Sequence, residues 1–162
     1  MDVRSIRRGV AACLFAPAAV VFAPAQAATL ASWDFDAPDG SFSSAVDTLA
    51  PGASVGEWSD ADGTLTSFGS SGNRAIGARA FDNGNRLSVT VNAGGPFVLD
   101  ELRFEQQASA TGPKTWTARI NGTVVASGST ATTLTAVVVP LALTSSLFEL
   151  SFEGLGATSS QG

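Results

Sequence analysis

Apolar and polar residues alternate with a period of two along the chain from residue 28 onwards. The segments 31–36, 87–91 and 148–152 show this most clearly, and the first of them makes Trp33 and Phe35 core candidates. Because successive side chains of a β-strand point to opposite faces, the pattern predicts strands with one buried face. No segment of helical length carries an apolar stripe with a 3.6-residue period, so we expect a nearly all-β domain.

Asn121-Gly122 marks the clearest turn in the sequence. It separates two alternating segments, 116–120 and 123–126. Asn and Gly tolerate the left-handed backbone of a type I′ turn, so the pattern predicts a tight β-hairpin. A second turn is predicted at 82–85, where it would join strands over 75–81 and 86–91.

Two irregularities interrupt the later strands. The inward positions change phase near Asp100-Glu101, which predicts a bulge or bend there. Pro140 follows the β-rich run 133–139 and has no N–H for a sheet ladder, so the strand is expected to end there or to lie at an edge. Many short strands separated by turn signals about every 8 to 12 residues predict an antiparallel two-sheet sandwich, with a closed barrel as the alternative.

Residues 1–27 have the features of a cleaved signal peptide. Arginines 4, 7 and 8 precede an apolar run over 10–22, and Ala25-Gln26-Ala27 has the form of a cleavage site. The run is shorter than the roughly 20 residues that cross a bilayer. A lipoprotein signal at Cys13 and twin-arginine export are the alternatives. We therefore expect a signal peptide over 1–27, a sandwich domain over 28–153, and a flexible tail or truncated final strand over 154–162.

Composition narrows the function classes. Without residues 1–27 the 162-residue chain keeps 135 residues, six of them basic and 13 acidic, which disfavours nucleic-acid and membrane-surface partners. Cys13 is the only cysteine and histidine is absent, which excludes thiol nucleophiles, Ser-His-Asp triads and histidine-rich zinc sites. Oxygen-ligand metal binding and carboxylate chemistry remain.

Four short motifs of the chain bear on its relationships: Trp33-Asp34-Phe35, Ala75-Ile76-Gly77-Ala78, the strand 87–91 before Gly94-Gly95, and 102–107 continuing through Gly112-Pro113 to Trp116. In these motifs the sequence resembles a group of exported bacterial proteins that usually carry a C-terminal PEP-CTERM sorting segment. The resemblance implies a lectin-like or jelly-roll sandwich, export from a bacterium that makes extracellular polysaccharide, and no established enzymatic activity. The sorting segment itself is absent here.

Two sets of residues are candidate ligand sites. Asp34, Asp36 and Asp39 form a carboxylate-rich loop that suits calcium, the one candidate cofactor, although a plain turn explains the same residues. For a sugar, Trp58 is the candidate aromatic platform, and burial of its ring is the alternative. Four polar residues would complete the sugar site: Asp60, Asp82, Asn83 and Asn85.

These features together favour a secreted, non-enzymatic module associated with extracellular polysaccharide, or periplasmic if it is not passed across an outer membrane. A purely structural extracellular protein without a small ligand is the alternative. A carboxylate-based glycoside hydrolase is formally allowed, because 13 carboxylates can supply a pair at roughly 5 to 10 Å, but no motif selects one.

Overall fold

The computed structural model of the protein describes residues 28–61, 65–78, 81 and 85–158. These residues form ten β-strands and no helix, which confirms the all-β prediction. The signal-peptide prediction for residues 1–27 lies outside the described residues, as do residues 82–84 of the predicted turn.

Two of the ten strands are 21 residues long and organise the rest. In chain order the strands are β1 (Ala31–Ser32), β2 (Thr48–Leu49), β3 (Ser54–Val55), β4 (Ser59–Asp60), β5 (Leu65–Ser70), β6 (Asn73–Ala78), β7 (Arg86–Gln106), β8 (Thr115–Ile120), β9 (Thr123–Ser129) and β10 (Thr135–Leu155). The main sheet has the order β3-β7-β10-β8-β9, and β4 also pairs with β7. β1 pairs with β2 and β5 with β6, and every pairing is antiparallel.

One face of the main sheet is apolar and covered. Its inward residues on β7 are Leu87, Val89 and Val91, which are 6%, 1% and 6% exposed, as the alternation predicted. Ile120 and Phe148 extend the same layer on β8 and β10. Burial of these side chains is the main source of stability for the sheet, since each contributes about 1.5–3 kcal/mol.

The long strands β7 and β10 fold back over this apolar face. Leu87 pairs with Phe152 at one end of β7. Phe104 lies 17 residues further along, which is about 56 Å in a straight strand. Its ring nevertheless lies 4.9 Å from that of Phe152 and 5.2 Å from that of Trp116. The distal parts of β7 and β10 therefore form a second layer on the main sheet.

Two irregularities in the pairing of β7 with β10 mark where the strands bend. Residues 93–96 of β7 lie opposite the single residue Ser146 of β10. Gly94 has a φ of 74°, and a Cβ there would lie 2.3 Å from the Gly52 carbonyl oxygen, so only glycine fits. Further along, Asp100 and Glu101 are both exposed beside a register shift, which confirms the predicted bulge.

Strand β10 continues through Pro140 and ends at Leu155. Around Pro140 it pairs only with β7 among the described residues, so the prediction of an edge is confirmed and that of a strand end is wrong. An edge position tolerates the missing N–H of proline. The strand also runs two residues past the expected domain boundary at residue 153, and Gly154 is buried.

The hairpin predicted at Asn121-Gly122 is confirmed. Strands β8 and β9 flank Asn121 and Gly122, whose φ values of 51° and 76° are those of a type I′ turn. The strand predicted over 31–36 forms only over Ala31–Ser32, and Phe35, with a φ of 62°, does not have an extended backbone. Its ring still packs in the core beside Trp58.

The predicted turn at 82–85 does not join a hairpin of neighbouring strands. Among the described residues β6 pairs with β5, through a turn at Ser71-Gly72, whereas β7 pairs with β3, β4 and β10. The alternation located both strands, but it carries no information about which neighbour each strand pairs with.

Candidate functional site

Trp58 is buried and offers no platform for a sugar. Its side chain is 7% exposed and meets the ring of Trp33 at 5.4 Å and that of Phe35 at 5.9 Å, both edge to face. Aromatic stacking on a sugar needs an exposed ring face, so the platform interpretation is wrong and the burial alternative is correct. The large apolar ring gains more from packing against Leu87 and Val89 of β7 than from exposure.

The polar residues expected around that platform do not form an exposed cluster either. Asp60 is 8% and Asn85 5% exposed, and both lie near the start of β7, where Asp60 pairs with Leu87. The amide oxygen of Asn85 accepts a hydrogen bond from the N–H of Arg86. Asp82 and Asn83 lie outside the described residues. The predicted sugar site therefore has no exposed members among the residues that can be placed.

The three carboxylates proposed for calcium accept hydrogen bonds from different backbone N–H groups. Asp34 accepts a hydrogen bond from the N–H of Asp36, and Asp36 accepts from the N–H groups of Gly72 and Arg74. Asp39 accepts from the hydroxyl and N–H of Ser41, and these bonds lower its pKa. Among the described residues no three acidic, cysteine or histidine groups lie close enough to hold a metal. The geometry supports the turn interpretation of these residues.

A polar surface that the sequence did not single out covers the outward side of the main sheet. One row of paired residues crosses four strands, from Ser59 on β4 through Ser88 and Ser151 to Arg119 on β8. The hydroxyls of Ser59 and Ser88 lie 3.0 Å apart. Ser151 pairs with Ser88 on one side and Arg119 on the other and is only 1% exposed.

The next row of the same surface is an ion-pair cluster. Glu153 on β10 lies opposite Arg86 on β7 and Thr117 on β8. One carboxylate oxygen accepts from Nε of Arg86 at 2.9 Å and also from Nη2, and the other accepts from Nε of Arg119 at 3.3 Å. We name these two rows, Ser59, Ser88, Ser151, Arg119, Arg86, Glu153 and Thr117, the polar face.

The charge of Glu153 is fixed by its two arginines. Burial acts to raise the pKa of this carboxyl, but hydrogen bonds and positive charges from Arg86 and Arg119 outweigh burial, so the pKa lies below its ordinary value. The side chain is 13% exposed, against 40% for Arg86 and 28% for Arg119. The carboxylate is thus ionised at neutral pH, and two arginines with one carboxylate give the cluster one net positive charge.

The polar face could not be located from the sequence because its residues come from four strands. The alternation does place Ser88, Ser151 and Glu153 on the face opposite to the core. Which of them become neighbours depends on strand order and register, and a shift of one residue would move each to the other face.

Two shallow depressions lie near the bend between the layers and meet at Thr144-Ser145. One, of about 250 Å³, runs beside the hairpin turn at Asn121 and is floored by Phe148. The other is lined by Asn92, residues 94–96 of β7 and residues 144–146 of β10. All of these lining residues are uncharged, so neither depression supplies an acid and base pair of the kind a glycoside hydrolase uses.

Comparison with family models, with curated proteins and with solved structures found no match to this chain. Within the described residues there is no apolar helix of membrane-spanning length. The polar face is therefore the candidate site on its own geometry, without support from a related protein.

Proposed function

We propose that the chain is an exported, non-catalytic β-sandwich module, of the jelly-roll or lectin-like type, that associates with extracellular polysaccharide through its polar face. The observation that carries the proposal is a set of hydroxyl and guanidinium groups on one face of the sheet that remain in contact with solvent: Ser59, Ser88, Arg86 and Arg119. Polysaccharides present many hydroxyl groups along an extended chain. A row of side-chain donors and acceptors across a sheet complements such a chain.

The polar face is also held rigid, which favours binding. Most of its side chains stand on β7, β8 and β10, whose backbones are fixed by antiparallel pairing on both sides of β10, and Ser59 stands on β4, which pairs with β7. Groups mounted on strands lose little freedom when a ligand binds, so more of the interaction free energy remains for affinity. The export part of the proposal rests on the sequence of residues 1–27.

Affinity electrophoresis against a panel of neutral and acidic polysaccharides tests the function. We expect at least one polymer to retard the purified 28–162 chain. The double variant Ser59→Ala with Ser88→Ala should weaken that retardation about fivefold, because two hydroxyl partners of the ligand are lost. The matched control is Thr133→Ala with Thr135→Ala, which removes two exposed hydroxyls at the start of β10. Equal effects of the two pairs, or no retardation by any polymer, would contradict the proposal.

A structural protein without a small ligand is the second candidate, and one observation favours it. Residues 120–148 contain no charged side chain, and they include β9 and the distal part of β10. The distal part of β10 pairs only with β7 among the described residues, which leaves the other edge of that strand for contacts with further chains.

A further inference from the structure

We propose, resting on the polysaccharide function above, that the ligand of the polar face is an acidic polysaccharide whose carboxylate or sulfate groups bind Arg86 and Arg119. The ion-pair cluster of the polar face contains more positive than negative groups. Two guanidinium groups share the one carboxylate of Glu153, so the cluster retains a positive charge that its own carboxylate does not neutralise.

The other basic residues of the described chain are arranged differently. Arg103 faces one carboxylate, that of Glu101, and Arg74 contacts Asp36 and the carbonyl oxygen of Gly40. Lys114 donates to the carbonyl oxygen of Ala110. Among the described basic residues, Arg86 and Arg119 are therefore the two that form a cluster in which positive charges outnumber negative charges.

Both arginines keep donors for a ligand. Glu153 engages Nε and Nη2 of Arg86, and Arg119 uses Nε for Glu153 and Nη1 for the carbonyl oxygen of Gly122. Within the described residues, Nη1 of Arg86 and Nη2 of Arg119 have no hydrogen-bond partner, and the two side chains are 40% and 28% exposed. A guanidinium with a free edge binds a carboxylate or sulfate through charge-assisted hydrogen bonds.

The acidic residues outside the cluster determine which anionic polymers can approach it. Glu149 is exposed on the same side of β10, four residues from Glu153, which places the two about 13 Å apart along the strand. That separation exceeds the screening length of about 8 Å at physiological salt, so Glu149 weakens the cluster little. The chain beyond residue 27 has 13 acidic residues, which repel a densely charged polymer such as a nucleic acid. Anionic groups spaced along a sugar chain fit better.

A set of four polymers separates the ligand classes. We expect polygalacturonate to retard the protein at low salt, and we expect its fully methyl-esterified form and dextran to retard it at least about tenfold less, because the ester and the neutral sugar lack the anionic group. Retardation should fall as salt rises. Dextran sulfate is the fourth polymer, and preferential binding to it would identify sulfate rather than carboxylate as the anionic group.

Arg119→Gln should reduce binding to the acidic polymer about tenfold. If this variant loses its β-sheet circular dichroism, Arg86→Gln tests the same site at the more exposed arginine. Arg103→Gln is the matched control and should bind as the unaltered chain does. Equal binding of free and esterified polygalacturonate, or equal losses for Arg103→Gln and Arg119→Gln, would overturn the acidic-ligand proposal. Binding to dextran alone would overturn it while leaving the polysaccharide function intact, whereas binding to no polymer would remove both.

Discussion

Glu153 joins three strands through its carboxylate, since Arg86 belongs to β7, Arg119 to β8 and Glu153 itself to β10. The pKa of this carboxyl lies below its ordinary value of 4.5, because the two arginines outweigh burial. A carboxyl whose pKa is lowered by folding stabilises the fold above its unfolded pKa, and this contribution is lost as the pH falls through the folded pKa.

We therefore expect the free energy of unfolding to fall below about pH 4.5, and Glu153→Gln to remove part of that fall. At pH 7 the same change should cost about 1 kcal/mol, a modest value because the arginines are partly exposed to solvent. Urea denaturation at pH 7 and pH 3 measures both effects. Glu105→Gln is the control, since Glu105 is exposed and makes no ion pair among the described residues. Identical pH profiles for the two variants would contradict the prediction.

Trp58, the candidate sugar platform, is a buried residue of the core. Its indole Nε1 is buried without a hydrogen-bond partner among the described residues, and its ring packs against Trp33 and Phe35. We expect Trp58→Ala to lower the free energy of unfolding by about 3–5 kcal/mol, the range for removing a buried aromatic side chain. Urea denaturation measures the change. Phe68→Ala, at a ring that is 53% exposed, should cost less than about 1 kcal/mol, and similar losses for both would contradict this assignment.

At the scale of elements, short-range features could be predicted from the sequence and long-range features could not. The hairpin at Asn121-Gly122 depends on adjacent residues whose backbone preferences are known, and it forms as predicted. The 21-residue lengths of β7 and β10 were not predicted, because turn-forming residues at 94–96 and Pro140 suggest interruptions that the strands absorb as irregularities. The polar face depends on register across four strands, which no local pattern encodes.

The backbone of the hairpin turn can be tested with two glycines. Gly122 and Gly95 both have open space where a Cβ would stand, but only Gly122 has a positive φ, of 76°. Gly122→Ala should therefore destabilise the protein by about 1 kcal/mol, whereas Gly95→Ala should leave stability nearly unchanged or raise it slightly. Thermal unfolding followed by circular dichroism compares the two. A larger loss at Gly95 would show that space rather than backbone conformation decides the outcome.

At the scale of the whole molecule, the distal edge of β10 is open to association with other chains. It carries Val138, which is 55% exposed, in a span of 29 residues without charge, and unpaired strand edges of this kind promote pairing between chains. Val138→Lys should therefore reduce concentration-dependent association, because a lysine on an edge strand opposes it. Analytical ultracentrifugation measures the change.

Val98 provides the matched control for that experiment. It is 56% exposed on β7, the other strand of the same layer. Val98→Lys should leave association unchanged if the β10 edge is responsible. Equal effects of both lysines would instead point to the unpaired edge of distal β7 as well, or to the face of the layer that both valines share. A chain that stays monomeric at every concentration would count against the structural candidate function.

The bend at residues 93–96 also determines how the domain comes apart. The chains of β7 and β10 each run through both layers, and the layers pack against each other through the rings of Phe104 and Phe152. Heat or denaturant should therefore melt both halves in a single transition, with tryptophan fluorescence and far-ultraviolet circular dichroism changing together. Folding should correspondingly be slow, since β7 and β10 pair residues as distant in the chain as Arg86 and Glu153.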